Sequence, residues 1–418
     1  MKIYFSFPSF NNTTTNNTIF LFNYLKQRSK NMKIICSQES LLRGIQTVQR
    51  GISSRIGLPI YNGILFEANE DNKIHLFATD LEIGIDCYIP AQVIEVGSTV
   101  IPSRIIGELI KRLPEGKIEI DCLNNNITTV KENSSNYKIL SFSAEEFSNF
   151  PEIKIKAKIK INQKLFKESI QQVIFATSRD ENRNFLNGAL FKITDNKIEM
   201  VTTDSHRLSL KNIKPINIEN SSIEGVEVII PYRALSELSR LLLDDEEVFI
   251  EIRVGEKQIM FILFPEGQKN SIRIYSRLIE GQFPDYHQII PDSFKTEIKI
   301  NTEDFRDKME RISLFVREDL NTVKIEVVNK EDDKKEGKCE IILKAESPST
   351  GEAFEEISCL KKGEDISITF NTDYILDVLK IIKKENTIIK MNDPLNPVII
   401  TPEEDKDYTY ILMPVRTD

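Results

Sequence analysis

Three consecutive residues of the chain, Asp204, Ser205 and His206, are of the types that form a hydrolytic triad. In such a triad the serine attacks, the histidine takes up its proton, and the carboxylate orients the histidine. Adjacent residues on an extended segment point to opposite faces and cannot align in these three roles. The spacing therefore argues against a hydrolase.

Motifs for other enzymatic chemistry do not occur in the sequence. It contains no GxGxxG, Walker A or HExxH pattern, so nucleotide binding and metalloprotease activity have no support. The other histidines, His75 and His287, are not spaced with His206 as metal ligands. The acidic run 244–247 joins a predicted helix to a predicted strand and is interpreted as a solvated loop. We predict no catalytic residues, no metal site and no cofactor.

The pattern of the segment that contains these three residues occurs twice in the chain. Residues 188–210 (GALFKITDNKIEMVTTDSHRLSL) repeat the pattern of residues 63–80 (GILFEANEDNKIHLFATD). Each copy has a glycine, an apolar triplet, a DNK turn, an alternating strand and then Thr-Asp. Two copies of one pattern, far apart in the same chain, predict duplicated domains.

Two further units occur three times each. The first is a short strand, a polar residue suited to a helix N-cap and about four turns of amphipathic helix, at 33–55, 159–180 and 298–319. The second is a strand, a short turn and an amphipathic helix, at 100–113, 229–242 and 369–382. We predict an α+β fold of three repeated domains, 32–154, 155–295 and 296–418.

Residues 1–31 form an N-terminal extension without counterpart in the repeats. They include an Asn/Thr tract and contain no acidic residue. A transit peptide would need an amphipathic helix and a cleavage site, and neither is evident. We therefore favour a disordered tail or an upstream start codon.

Composition places the chain among soluble globular proteins. It has 418 residues, of which 40% are hydrophobic and 28% charged, and its longest apolar runs are too short to span a bilayer. Its five cysteines are scattered without a CxxC pair, which favours reduced buried thiols in a cytoplasmic protein.

Charge is distributed unevenly between the predicted helices and the rest of the chain. The net charge is −9, yet the predicted helices together carry a basic excess, so that the remainder is strongly acidic. Helices gathered on one concave face would form a basic surface for a phosphate backbone. The alternative is that these basic residues merely populate the solvent faces of ordinary helices.

Several segments together resemble the bacterial DNA polymerase III beta subunit family, the sliding clamps. These are the threefold repeat, TTDSHRLSL (202–210), EGQFPDY (280–286) and the terminal ILMPVR (411–416). The resemblance covers residues 32–418. It implies a head-to-tail homodimer that closes into a ring, with helices on the inner face and antiparallel sheets outside. Ring-closing contacts also leave no sheet edge exposed between subunits.

The resemblance also implies a pocket that binds short peptide motifs of client proteins. Apolar side chains with a methionine form an adaptable slot, and a few polar groups orient the peptide. Ser205 stands where the family often has glycine. The implied pocket residues are Leu186, Thr203, Ser205, His206, Arg207, Leu208, Pro291, Leu395, Pro397, Ile411, Met413, Pro414, Val415 and Arg416. The alternative is that TDSHRL only closes a hairpin beside the core.

Residues for DNA and for the dimer follow in the same way. Arg55 and Arg104 occupy family positions that face the hole, and Arg183 and Phe185 lie on a loop that the family places near the DNA strand. Arg43, Lys111 and Arg233 are added from helix position alone. Leu314 and Phe315 match apolar positions of the dimer interface, although one of them could instead belong to the core.

The function implied is that of a non-enzymatic clamp that encircles duplex DNA without sequence preference. Its partners would be a second copy of the chain, the DNA polymerase III alpha subunit, a clamp loader and other proteins with clamp-binding motifs. The alternative is a three-domain binding or regulatory protein that never encircles DNA and whose basic helices serve a protein partner.

Overall fold

The computed structural model describes residues 31–53, 57–123, 126–148, 150, 152–194, 197–215, 217–219, 226–264, 271–316, 321–329 and 337–416. Residues 1–30 of the predicted extension and the predicted DNA contact Arg55 lie outside the described residues. The described residues form two compact units, one within 1–154 and 260–276 and the other within 155–259 and 277–418. The limits predicted for the three domains remain a prediction.

The threefold repeat is visible in the order of the elements. The first copy consists of β1 (Met32–Ser37), α1 (Gln38–Val48), β2 (Gly63–Asn69), β3 (Lys73–Thr79), β4 (Ile83–Pro90), β5 (Gln92–Glu95), β6 (Gly97–Pro102), α2 (Ser103–Arg112), β7 (Lys117–Leu123), β8 (Ile127–Glu132) and β9 (Ser135–Leu140).

The second copy follows the same order. It consists of β10 (Ala157–Asn162), α3 (Gln163–Ile174), β11 (Gly188–Ile193), β12 (Ile198–Thr203), β13 (Arg207–Ile213), β14 (Asn217–Glu219), β15 (Val226–Pro231), α4 (Tyr232–Leu241), β16 (Phe249–Val254), β17 (Gln258–Leu263) and β18 (Ile272–Arg277).

The third copy has no separate counterpart of β5 or β14 among its described residues; the last residues of β22 pair with β19 instead, as β5 pairs with β1 and β14 with β10. It consists of β19 (Thr296–Asn301), α5 (Thr302–Ile312), β20 (Thr322–Asn329), β21 (Lys338–Ser347), β22 (Gly351–Gly363), β23 (Ile366–Asn371), α6 (Thr372–Ile381), β24 (Asn386–Met391), β25 (Val398–Pro402) and β26 (Tyr408–Leu412). The predicted α+β class with a threefold repeat is confirmed.

The first helix of each copy begins at the predicted polar cap. The side chains of Ser37, Asn162 and Asn301 each accept a hydrogen bond from the backbone N three residues on, at 3.3, 2.9 and 3.0 Å. These bonds satisfy an N–H group that has no partner inside the helix. The helices α1, α3 and α5 have 11 or 12 residues, so the prediction of four turns is too long. In α1 and α5 the predicted extra turn is a 3₁₀ segment.

Every strand pairing described between named strands is antiparallel, and the pairing pattern repeats. After the first helix, three strands form a meander with a fourth beside its first strand: β4-β3-β2-β6, β13-β12-β11-β15 and β22-β21-β20-β23. Three strands also follow each second helix: β7 to β9, β16 to β18 and β24 to β26. Within each copy the two helices contact each other.

Two junctions between copies use equivalent strands. In the first unit the third strand of the meander, β4, pairs with β18, and in the second unit its equivalent β13 pairs with β26. β18 and β26 are each the third strand after a second helix. Successive copies are therefore joined by the same edge-to-edge pairing.

The cysteine prediction is wrong for one pair. Cys339 and Cys359 lie directly opposite each other on β21 and β22, with Cα atoms 5.1 Å apart, and form a disulfide. Strand register brings them together, and a sequence separation of 20 residues does not reveal it. Cys36, Cys87 and Cys122 are buried thiols, as predicted.

The β4–β18 junction of the first unit contains a buried ionic network centred on Asp86. Arg273 on β18 donates two hydrogen bonds to the Asp86 carboxylate, at 2.8 and 2.6 Å. His75 contacts Asp86 through Nε2 at 3.1 Å and Glu67 through Nδ1 at 3.2 Å. Burial by itself lowers the pKa of His75, but the hydrogen bonds and charges of Asp86 and Glu67 raise that pKa to about 9.

This network predicts a pH-dependent stability. Because the pKa of His75 is raised on folding, protonated His75 stabilises the folded state. This contribution to the free energy of unfolding is complete below pH 6.5 and is lost as pH rises through about 9. The shift corresponds to roughly 3 kcal/mol in unfolding free energy. Urea unfolding of the wild type and of His75→Gln should therefore differ most near pH 6 and converge above pH 9. The exposed His287→Gln serves as the control, and a difference that stays constant with pH would contradict the assignment.

Candidate functional site

The strands that carry the predicted pocket residues are joined by a turn at 203–207. Thr203 Oγ1 donates to the Arg207 carbonyl oxygen at 2.7 Å, and Asp204 Oδ1 accepts from the backbone N of His206 and Arg207 at 2.9 and 3.0 Å. The other carboxylate oxygen of Asp204 accepts from Arg207 Nε at 3.0 Å. Asp204 therefore holds the turn together, and its described contacts do not orient a catalytic histidine.

The same turn occurs in the first copy of the repeat. Thr79 Oγ1 donates to the Ile83 carbonyl oxygen at 2.8 Å, and Asp80 Oδ1 accepts from the backbone N of Glu82 and Ile83 at 3.1 and 2.9 Å. Short polar side chains that bond their own backbone favour a turn over extended chain. Thr-Asp is thus a hairpin signal in both copies, and any binding role of the second copy depends on what surrounds it.

Ser205 occupies the strained position of the turn. Its φ is +80°, in the left-handed region that a glycine enters at lower cost, and Leu81 occupies the equivalent position at φ +71°. Ser205 Oγ accepts a hydrogen bond from Arg183 Nη1 at 2.8 Å, and Arg183 also donates through Nε to Asp180 at 2.9 Å. The serine hydroxyl therefore ties the turn to the loop that carries two predicted DNA contacts.

Arg207 lies beneath the turn. Its guanidinium donates to Asp204, to Asp377 at 2.7 Å and to the Phe175 carbonyl oxygen at 2.9 Å, and it stacks 4.3 Å from the ring centroid of Tyr374. Burial lowers its pKa, but Tyr410, Asp377 and Asp204 raise it well above the ordinary value. Since the side chain is only 9% exposed, Arg207 mainly joins the second copy of the repeat to α6 of the third.

Three predicted pocket residues form part of one apolar floor. Leu186, Leu208 and Ile411 are at most 2% exposed and belong to a single buried cluster. Leu208 on β13 lies directly opposite Ile411 on β26, so the floor is shared between two copies of the repeat. Thr203 is also buried, at the end of β12.

Exposed predicted residues lie at the edge of this floor. The backbone N of Met413 donates to the His206 carbonyl oxygen at 2.9 Å, which places the end of the chain beside the turn. Pro397 immediately precedes β25, whose residue Val398 pairs with Leu412, so Pro397 lies next to Met413. Leu395 and Met413 are 59% and 37% exposed.

The segment that contains Pro291 is fastened to the same edge. Asn392 Nδ2 donates to the Ser293 carbonyl oxygen at 2.7 Å, and its Oδ1 accepts from the backbone N of Lys295 at 3.0 Å. Further along the chain, the backbone N of Val415 donates to the Thr369 carbonyl oxygen at 2.8 Å. Pro414 and Arg416 flank Val415 and are half-buried and exposed, respectively.

Sequence reasoning missed two aromatic residues at this edge. Tyr374 on α6 stacks against His206, with ring centroids 6.3 Å apart, and Phe294 packs against the apolar floor. The sequence offers a signal only for Tyr374, which follows the N-cap Asn371 of a predicted helix. Their proximity to the turn comes from the packing of separate elements.

The predicted DNA contacts within the described residues lie on helices and on the 3₁₀ segment Glu181–Leu186. Arg43 is exposed on α1, with a 3.3 Å ion pair to Glu39, and Arg104 and Lys111 are exposed on α2 of the same unit. In the second unit Arg233 lies in the first turn of α4, and Phe185 packs against the apolar floor beside Gly281.

The two residues predicted for the dimer differ in their surroundings. Leu314 is 70% exposed, whereas Phe315 packs against the core that also contains α5. Of the two, Leu314 has the accessibility that a subunit contact requires.

A cavity of about 400 Å³ in the second unit borders the same buried cluster as the apolar floor, but none of the predicted pocket residues lines it. It is lined by residues that include Leu190, Ile229, Ile279 and Phe283. Among the described residues no cluster of three or more His, Cys, Asp or Glu side chains is arranged to hold a metal ion. In the same part of the chain no helix is both long and apolar enough to cross a membrane.

Known proteins resemble the chain over almost its whole length. Family models of the DNA polymerase III beta subunit match the N-terminal domain at residues 32–151, the central domain at 160–285 and the C-terminal domain at 287–416. The beta sliding clamps of Bacillus subtilis and Staphylococcus epidermidis are each 30% identical, over 92% of this chain and 100% of theirs. A crystal structure of the Bacillus subtilis clamp covers 93% of this chain and all of its own, with a TM-score of 0.84 and 30% identity. A putative beta subunit from Eubacterium rectale gives a TM-score of 0.82 at 28% identity, over 92% of this chain and 99% of its own.

Proposed function

Because the chain belongs to the DNA polymerase III beta subunit family, the sliding clamps, we propose that it acts as a closed homodimeric ring around duplex DNA. The ring tethers the replicative polymerase and other client proteins, holds DNA by enclosure rather than by sequence, and performs no catalysis. A clamp loader opens it, and its place of action is the cytoplasm.

The observation that carries ring closure is a pair of strand edges with no partner in the described part of the chain. β4 and β13, the third strands of their meanders, pair with β18 and β26. In the third copy the equivalent strand is β22, whose residues 351–359 pair, among the described strands, only with β21. In the first copy the equivalent of β18 and β26 is β9, and β8 is its only partner in the same part of the chain.

The two edges are complementary when β22 of one chain meets β9 of a second chain. Unpaired strand edges carry open hydrogen-bonding groups and invite pairing. β22 presents Phe354, 56% exposed, with acidic residues on both sides, and β9 presents Lys138 between Tyr137 and Leu140. A contact between different surfaces of identical chains closes into a ring when the rotation allows it.

Leu314 extends the proposed contact. The 3₁₀ segment that contains it touches β22, and Arg311 of α5 binds Glu355 of β22 through an ion pair at 2.7 Å. The end of α5 and the free edge of β22 thus form one surface.

We predict that Leu314→Ala combined with Phe354→Ala weakens the homodimer about 10- to 100-fold, since each loses an exposed apolar contact worth roughly 1 kcal/mol. Analytical ultracentrifugation over a concentration series measures the dissociation constant. Leu360→Ala is the matched control, because Leu360 is 51% exposed on the same strand but lies beyond the free edge. An equal effect of the control, or an unchanged dimer, would contradict the proposed contact.

The pocket of Leu186, Leu208 and Ile411, with Met413, Leu395 and His206 at its edge, is proposed to bind client peptides. Its support is the combination of a buried apolar floor with accessible apolar and polar groups beside it. Arg207 supports the pocket indirectly, because its guanidinium binds both Asp204 of the turn and Asp377 of α6.

We predict that Leu395→Ala with Met413→Ala lowers the affinity for a fluorescent peptide bearing the clamp-binding motif of the cognate polymerase about 10-fold or more. Both side chains are partly exposed, so folding should be unaffected. Leu58→Ala, which removes a side chain that is 56% exposed in the first unit, is the control. Undiminished affinity in a fluorescence titration would refute the pocket assignment.

Retention on DNA tests enclosure directly. We expect the protein, loaded onto nicked circular DNA by a clamp loader, to remain through a high-salt wash and to leave after the circle is linearised. Salt weakens phosphate contacts steeply but cannot release a closed ring from a circle. A protein that leaves the circle in salt is a surface binder, as in the non-encircling alternative.

A further inference from the structure

The helix α3 carries lysines that are paired with carboxylates of the acidic loop 243–247. Lys164 Nζ donates to Glu246 at 2.6 Å, and Lys167 Nζ donates to Asp244 at 2.9 Å. The carboxylates lie in the loop that follows α4, about 80 residues away in sequence. The hydrogen bond and charge of Lys167 lower the pKa of Asp244, with Lys383 and Lys164 contributing further.

Backbone contacts hold this loop in place beside the start of α3. Asn162, the N-cap of α3, donates through Nδ2 to the Asp245 carbonyl oxygen at 3.4 Å, and the backbone N of Leu243 donates to Gln163 Oε1 at 3.0 Å. The carboxylates are thus presented to the lysines by a positioned segment.

The lysine surface extends from the second copy of the repeat into the third. α3 contacts α6, and Lys383, just beyond the end of α6, binds Glu168 of α3 at 3.3 Å. Lys383 is 73% exposed, whereas Lys167 is only 19% exposed.

We propose that Lys164, Lys167 and Lys383 form a surface for the phosphate backbone of duplex DNA, and that Asp244 and Glu246 compete with the phosphates for it. This inference rests on the proposed function. Exposed ion pairs have a small net free energy, so a phosphate can replace a carboxylate at little cost. The loop thereby weakens the grip on DNA, which suits a ring that holds by enclosure and must slide.

The test compares binding of a short fluorescent DNA duplex at low salt by wild type and by Asp244→Asn with Glu246→Gln. The loop variant should bind about fivefold more tightly, from the removal of two competing exposed pairs. Its log–log salt dependence should be steeper by roughly 0.9 for each additional phosphate that the lysines bind. Adding Lys164→Gln and Lys167→Gln should abolish the tighter binding, while the same lysine changes in the wild type should have a smaller effect.

The control is Asp393→Asn with Glu403→Gln, which changes the net charge equally and also breaks two lysine–carboxylate pairs, with Lys295 and Lys299. An equal increase in affinity in the control shows a general charge effect and overturns the proposal. Unchanged affinity in the loop variant, or an increase that survives loss of the lysines, also overturns it. Retention on circular DNA tests enclosure separately, so failure of the duplex-binding test would not contradict the proposed ring.

Discussion

One interaction joins the copies of the repeat: a β-strand edge with open backbone hydrogen-bonding groups pairs with the edge of another strand. Each meander of the repeat ends in such an edge. At β4 and β13 the edge is satisfied by the last strand of the following copy, β18 or β26. In the third copy, residues 351–359 of the equivalent strand β22 have no such partner among the described residues, and the same kind of pairing supports the proposed contact between chains.

The junctions inside the chain are reinforced by side chains of very different chemistry. At β4 the reinforcement is ionic: Asp86 is shared by His75 and Arg273. At β13 the apolar pair Leu208 and Ile411 lies within a buried cluster, and Arg207 adds a bridge to Asp377. The backbone pairing is common to both junctions, so the side chains at each are free to differ.

Basic helices carry less free positive charge than their sequences indicate. Lys164 and Lys167 of α3 are paired with acids from the loop after α4, and Arg43 is paired with Glu39 on its own helix. The number of lysine and arginine residues on the helices therefore gives only an upper limit on the phosphate contacts, because some of these side chains are paired with carboxylates. The acidic run 244–247, interpreted from the sequence as a solvated loop, is exposed but has specific partners.

The sequence by itself determined the repeat, the α+β class, the polar caps at Ser37, Asn162 and Asn301 and the Thr-Asp turns. All of these rest on interactions between residues close together in the chain, or on a pattern written more than once. Tertiary structure alone decided that Tyr374 stacks on His206, that Cys339 bonds Cys359, that Phe315 packs in the core while Leu314 is exposed, and that Lys164 and Lys167 meet carboxylates from a distant loop. Those contacts depend on strand register and on the docking of separate elements, which local sequence patterns do not encode.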